Sequence, residues 1–443
     1  MKELLRDPLI LLSVVLVGFV FFFLAFQAAT KPKIADLLEK IATVSFLFMM
    51  THPTVMPLVL LHPETMTAPE PSAIAYLTRV VPYSGVLLIL KYRYSKIVQH
   101  TLMFFILDPA LALLMILVLI SFLWSETPDY SLRGALVLVG VTLFASHIAQ
   151  RYSWQELCKF MRLSLALLCF ISLFYSVAIP SIGAVGKGWK GILGHANPLS
   201  SLMGLNAGFW GLEAYINPKS RKLAIGIVLI SVLIIQNTNS AGGKVQLVVL
   251  TGSLLWLLFL KQLNFKLALT GVIILLVLAI SGTIIVVENT ETILVDILGK
   301  DLTLNGRTPL WTRLMTAIAY RPFLGYGYHG FWHDWRAENN PAAIYATNTF
   351  GWVAHHAHNG FIDLALYVGL IGLLLFLISL IKNLVLGVLY LIRNESLESA
   401  LPLGIMTILI VVNISLSQLM DVQTLWVYYV MISVRLSLDA NKS

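Results

Sequence analysis

Charge is what this 443-residue chain has least of: Asp, Glu, Lys and Arg together make up 12% of it. A water-soluble domain carries roughly twice that share, and a disordered chain needs high charge with low hydrophobicity. With 58% hydrophobic residues and a mean hydropathy of +0.84, a soluble multidomain enzyme and a disordered chain are both excluded. Cysteine is nearly absent. Cys158 and Cys169 stand eleven residues apart in one predicted helix, roughly 16 Å along its axis, too far for a disulfide. They say nothing about compartment. Alternating polarity is missing too. Leu9 to Phe26 and Leu267 to Val287 are near-continuous apolar runs, whereas a membrane β-barrel needs short alternating segments.

What is present is a series of apolar blocks of roughly 20 residues, each long enough to cross a hydrocarbon core about 30 Å thick as a helix. They read as spans at 9–26, 38–60, 72–90, 103–123, 133–150, 157–179, 197–215, 222–238, 243–260, 265–287, 359–392, 400–420 and 424–437. The expected fold is all-α: a polytopic transmembrane helical bundle of about 12–13 spans with one large extracytoplasmic loop. Ala25-Phe26-Gln27-Ala28 runs on into Ala29, Thr30 and Lys31 without a clear mature start, so the first block does not read as a cleavable signal.

The net charge is +8 and the pI near 9.3. The basic residues are scattered in short inter-helix loops, where membrane insertion alone predicts an excess, so they do not point to nucleic acid. Lys91, Arg93 and Lys96, then Arg151, Lys159 and Arg162, then Lys219, Arg221 and Lys222, then Lys261 and Lys266 fall on one side when spans are counted in order. That side reads as cytoplasmic. Segment 61–71, with Glu64 and Glu70, and segment 124–133, with Glu126 and Asp129 against Arg133, read as the far side. The first span breaks the alternation, because Lys2 and Arg6 compete with Lys31, Lys33 and Lys40 for the cytoplasm, and the topology of 1–37 stays open. The chain thus divides into an N-terminal hydrophobic segment 1–37, a bundle 38–287, a large loop 288–358 and C-terminal helices 359–443. Mid-span charges are few, with Arg79 and Asp108 placed near span ends.

The large loop differs from the rest. It holds Lys300, Arg307, Arg313, Arg321 and Arg336 against Glu288, Glu291, Asp296, Asp301, Asp334 and Glu338, and it carries His329, His333, His355, His356 and His358, five of the ten histidines. Trp311, Trp332, Trp335 and Trp352 lie there as well. Long loops without a task are uncommon in compact proteins. Within it, Thr308-Pro309 predicts a helix start, with Leu310, Trp311, Leu314, Met315 and Ile318 on one face and Arg321-Pro322 as the stop. Arg307 then sits just before a helix N-terminus, where dipole and guanidinium converge on an anion. Phe323-Leu-Gly-Tyr-Gly-Tyr328 reads as a turn. A leaving diphosphate has to be neutralised, which Arg does without proton transfer. A sugar hydroxyl needs a base near neutrality, which histidine supplies unperturbed.

Blander readings stand beside these. The three histidines of 355–358 fit backbone-bonded loop residues, and His355 with His358 fits a metal pair, although no His-Glu-x-x-His accompanies them. Arg307 fits an ion pair with Asp301. Arg313 and Arg336 fit structural or interfacial roles, the loop tryptophans an interfacial belt, and Gly369 and Gly372 close helix packing.

Four motifs occur in order: Ser121-Phe-Leu-Trp124-Ser125-x-x-Pro128; Trp189-Lys190-Gly191-Ile-Leu-Gly194-His195-Ala-Asn197; Gly306-Arg307-Thr308-Pro309-Leu310-Trp311 with Pro322-Phe-Leu-Gly325-Tyr-Gly327; and His355-His356-Ala357-His358-Asn359, with ten residues between His358 and Gly369-x-x-Gly372. From about residue 38 onward this pattern resembles the O-antigen ligase and Wzy-type O-antigen and exopolysaccharide polymerase superfamily, which are integral-membrane glycosyltransferases. The resemblance implies about twelve spans in a bacterial inner membrane and an active site in a large periplasmic loop. It implies an undecaprenyl-diphosphate-linked (polyprenyl-diphosphate-linked) glycan as donor, direct inverting attack, and no metal, nucleotide or other cofactor.

Carried over, His358 is the catalytic base and Arg307 holds the diphosphate, while Arg321, Lys244, His195, Lys190, Asn359 and His356 bind substrate. The chain departs from the family in having Asn239-Ser240-Ala-Gly-Gly-Lys244 where many relatives have Arg, and Ala196 where many have Lys. A Lys cannot grip phosphate bidentately, so Lys244 would meet it only as a point charge. The partners implied are the lipid-linked donor, a glycan or lipid A core acceptor, the bilayer and a chain-length regulator, with no nucleic acid. Polymerase is the favoured activity and O-antigen ligase the close alternative. Protein O-oligosaccharyltransferase follows, and a polysaccharide transporter or flippase is the rival from another class; it would be expected to show ionisable residues inside spans and an internal repeat.

Overall fold

Proline opens several of the helices. With its N–H missing and its φ fixed, it is tolerated in the first turn, where that donor has no intrahelical acceptor. Pro32 begins α1 (Pro32–Met49), and Pro109 and Pro128 begin two more. The computed structural model describes residues 27, 31–51, 94–184, 188–288, 307–332, 341–342, 354 and 356–441, apart from the side chains at 241, 242, 245, 283, 285–288, 307–309 and 415. The expected spans 9–26 and 72–90 lie outside the described residues.

Every regular element among the described residues is helical. After α1 come α2 (Tyr94–Leu107), α3 (Pro109–Ile120), α4 (Pro128–Arg151), α5 (Trp154–Ala178), α6 (Ala196–Ile216), α7 (Arg221–Asn237), α8 (Ala241–Leu260), α9 (Phe265–Glu288), α10 (Arg307–Tyr320), α11 (Gly360–Arg393), α12 (Leu401–Ser415) and α13 (Thr424–Ala440). A helix stands at each expected span that falls within the described residues. Among the described residues, five helical stretches are long and apolar enough to cross a bilayer, or six if α2 and α3 with its 3-10 extension count as one broken span. Together they make this a multi-pass membrane protein. Several of the others are shielded by neighbours and do not need a lipid-like exterior. Thus α6 buries Ser200, Ser201 and Asn206, and α13 buries Trp426, Tyr428 and Tyr429 at the centre of the bundle.

Two expected spans are broken. The stretch 103–123 is bent by 109° at Asp108. Pro109 disfavours helical backbone at the residue before it, and Asp108 (φ −141°, ψ 80°) instead caps α3 by accepting from Leu111 N. Its carboxylate is buried in the bundle, which corrects the expectation of a span-end charge. It accepts from Lys382 Nζ at 2.9 Å, Ser379 Oγ at 2.6 Å and Ser433 Oγ at 2.5 Å. The 34-residue α11 breaks at Val368 (φ −130°) and Gly369 (φ 70°). Beyond the break, Leu370 to Arg393 make roughly 36 Å of helix, about one bilayer crossing.

From α4 to α9, and again from α11 to α13, consecutive helices run back and forth. One end of the bundle gathers Arg151, Arg162, Lys261 and Arg435 with their partners. Arg151 pairs with Asp36 at 3.0 Å, Arg162 bridges Glu213 at 2.9 Å and Glu398 at 3.0 Å, and Lys261 Nζ donates to the carbonyls of Asn394 and Ser396. Burial pulls the Lys261 ammonium pKa down from its ordinary value. The opposite end carries the loops 121–127, 188–195, 238–240, 321–332, 356–359 and 416–423, and with them the candidate site residues.

Candidate functional site

The site end is assembled on the glycines of the 323–328 turn. Gly325 (φ 65°) and Gly327 (φ 91°) adopt left-handed backbone, which costs glycine nothing. The turn lies directly on the break in α11. Leu370 N donates to Pro322 O at 2.7 Å, Tyr326 N to Leu366 O at 2.8 Å and Gly327 N to Tyr367 O at 2.9 Å. A Cβ on Gly369 would overlap the Phe323 carbonyl, and one on Gly325 would stand 2.5 Å from Leu366 O. Gly369 therefore permits the break and the docking of the turn, not only the close helix packing that its spacing suggested. Trp124 Nε1 donates to Leu324 O at 3.0 Å, Tyr328 N to Ser121 Oγ at 3.0 Å and Tyr328 OH to Met420 O at 2.7 Å. Burial pushes the Tyr328 hydroxyl pKa well up, so it remains a donor.

On this platform α10 packs through Leu310, Leu314, Ala317 and Ile318 against Tyr326, Phe331, Ala357 and Ile362. The expected apolar face is thus confirmed except at Met315, which is exposed. The helix begins at Arg307 itself, one residue before the expected cap, a shift within the usual uncertainty of helix ends. Residue 307 lies one turn before Trp311, on the same face of α10. Trp311 Nε1 donates to Ala357 O at 2.8 Å, which ties this helix to the histidine loop.

In that loop His358 holds a left-handed backbone at φ 53°, an uncommon conformation for a residue with a Cβ. His358 N donates to His356 Nδ1 at 3.2 Å, and the two rings meet edge to face, 4.1 Å between centroids. Accepting at Nδ1 places the neutral proton of His356 on Nε2. Asn359 caps α11, its Oδ1 accepting from Phe361 N and Ile362 N at 3.0 and 3.2 Å. His355, Asp301, Asp334, Arg336, Trp335 and Trp352 lie outside the described residues, as does the side chain of Arg307.

The other predicted residues divide into two groups. Arg321 stands at the end of α10 beside the docked turn, paired with Glu126 at 2.9 Å and with its guanidinium carbon 4.9 Å from the Tyr326 ring centre. Lys190, His195 and Lys244 make up the second: Lys190 and His195 flank the turn Gly191–Leu193, and Lys244 lies on α8. Trp189 N donates to Asn237 O at 2.8 Å and Lys190 N to Gly183 O at 2.7 Å, which fastens that turn between the end of α7 and the short helix Pro180–Gly183 that follows α5. Ser240 caps α8 by accepting from Gly243 N, and Lys244 follows on its first turns, exposed. Connectivity puts this group at the same end of the bundle as His358. Arg313 is exposed. Among the described residues no group of three or more His, Cys, Asp or Glu is arranged to hold a metal ion.

Asp363 was missed from the sequence. Buried in the first turns of α11, it accepts from Trp332 Nε1 at 2.7 Å and Ala357 N at 3.1 Å. A carboxylate at the start of an apolar span was the available signal.

Residues 226–377, about a third of the chain, match the O-antigen ligase family model. The chain is also 38% identical over 85 residues to the exopolysaccharide production protein ExoQ of Rhizobium meliloti (strain 1021), a stretch covering 19% of this chain and 19% of that protein. The family segment runs from α7 to the middle of α11 and takes in Lys244, Arg307, Arg321, His356, His358 and Asn359, but neither Lys190 nor His195. Over residues 226–377, therefore, the chain is similar to the O-antigen ligase family.

Proposed function

We propose that this protein transfers a glycan from a polyprenyl diphosphate to an acceptor hydroxyl at the periplasmic face of a bacterial inner membrane, acting as a polysaccharide polymerase. The observation that carries the reading is the bond from Trp311 to the Ala357 carbonyl. It joins the helix that begins at Arg307 to the peptide next to His358, so the phosphate-binding and proton-accepting positions belong to one packed unit. In the reaction the acceptor oxygen attacks the anomeric carbon and its proton passes to the His358 imidazole. The bond from that carbon to the diphosphate oxygen breaks with inversion, and Arg307 neutralises the departing diphosphate. No metal enters this scheme, and turnover is expected to survive a chelator; loss with EDTA and recovery with a divalent ion would restore the histidine–metal alternative.

The likeness to an exopolysaccharide production protein supports polymerase, whereas the family description supports O-antigen ligase. The deciding experiment incubates full-length protein in nanodiscs with a lipid-linked repeat unit, with or without lipid A core. Long lipid-linked chains formed without the core are expected. Product found only on the core would make it a ligase, and donor translocation without a new glycosidic bond would make it a flippase.

A further inference from the structure

A side chain on a loop is held only as firmly as the peptides beside it. Ala357, between His356 and His358, is fixed at both its polar groups. Its N–H lies 3.1 Å from Asp363 Oδ1 and 3.3 Å from Oδ2, and its carbonyl accepts from Trp311 Nε1 at 2.8 Å. Asp363 Oδ1 also accepts from Trp332 Nε1 at 2.7 Å. Asp363 is 2% exposed. We propose that Asp363 is a positioning residue for glycan transfer: with Trp311 and Trp332 it clamps the backbone on both sides of Ala357 and thereby aims His358 at the acceptor hydroxyl. The proposal rests on the reading of His358 as the base.

Three features favour it. Each of these neighbours of the Asp363 carboxyl group is an N–H donor, which carboxyl oxygens accept. The helix start does not need Asp363 as a cap, because Asn359 already accepts from Phe361 N and Ile362 N. And the contacts join three separate stretches of chain, at residues 311, 332 and 357–363. With Ala357 held on one side and the Asn359 cap on the other, the left-handed His358 between them has little room to relax. Displacing a reacting group by about 1 Å costs on the order of a hundredfold in rate. Removing the clamp should therefore lower kcat while leaving donor binding alone.

The test uses the full chain in nanodiscs with a polyprenyl-diphosphate-linked glycan as donor, and reads kcat and donor KM separately, beside the melting temperature and elution profile. Asp363→Asn is expected to lose about ten- to a hundredfold in kcat with KM changed less than twofold. Trp311→Phe should lose kcat similarly, and the double variant should be no worse than the weaker single, because both anchor the backbone of one residue, Ala357. Wild-type kcat in Asp363→Asn, with His358→Ala inactive, overturns the clamp and spares the base; an active His358→Ala removes both. A kcat loss matched by an equal rise in KM also overturns it. Should Asp363→Asn fail to accumulate, Trp332→Phe and Trp311→Phe decide: each keeps a ring and removes one donor, and wild-type kcat in both refutes the clamp.

Discussion

His358, His329, Asn239 and Met420 are the four described residues other than glycine that hold positive φ, and connectivity gathers all four at the same end of the bundle. Such a backbone costs of order 1–3 kcal/mol per residue and persists only where its surroundings over-determine it. At His358 the surroundings are the Ala357 clamp and the Asn359 cap, so removing the imidazole should not disturb the loop. His358→Ala is expected to abolish transfer with normal membrane levels, checked by product on gels and by immunoblot; undiminished product would remove it from the mechanism. Asn359→Ala should cost about 1 kcal/mol of stability through the lost cap and only a few-fold in rate. Arg307→Lys keeps the charge but loses the bidentate fork. A charge-assisted bond is worth about 1.5–3 kcal/mol, so the rate should fall roughly ten- to a hundredfold. Arg313→Lys, on an exposed position, should be nearly silent. The reverse pattern would mean that α10 presents its other face to the donor.

Elements depend on single residues in the same way. Gly369→Ala puts a Cβ against the Phe323 carbonyl at a residue whose φ is 70°. It should unseat the 323–328 turn from α11 and lower both melting temperature and yield, whereas Gly194→Ala, also at positive φ (73°) but with open space around its Cβ position, should cost only about 1–2 kcal/mol of backbone strain. Equal melting temperatures for the two would refute the docking role. Helix positions among the described residues were legible because apolar runs and loop charge act over about 20 residues. The breaks were not, since they turn on one residue each. Asp108-Pro109 is a cap signature inside an apolar run and was passed over for hydropathy, and Gly369 reads equally as a packing glycine. His358 and Arg307 attract a chemical role by residue type alone. Asp363 does not, because its meaning lies in bonds to Ala357 and to Trp332, distant in sequence, and no local pattern records them.

At the scale of the molecule, the bent α2–α3 pair is fastened to the bundle by one buried charge. The Asp108 carboxylate gathers Lys382, Ser379 and Ser433, and Tyr429 OH lies 2.5 Å from Ser379 Oγ, so α3, α11 and α13 meet at this point. Lys382 Nζ also donates to Leu107 O, whose intrahelical acceptor role the bend removes, at 2.9 Å. Ionisable residues inside a bundle often mark a transport path, but here the partners come from the protein itself, and the cluster reads as a staple across the broken helix. Breaking a buried pair from one side leaves the other charge uncompensated and costs about 3–5 kcal/mol, whereas replacing both with neutral groups of similar volume is often nearly neutral. Asp108→Asn should therefore lower the melting temperature in detergent sharply, and Asp108→Asn with Lys382→Met should recover much of it and retain glycan transfer. A double variant that is stable yet inactive would move this cluster out of the scaffold and into the reaction path.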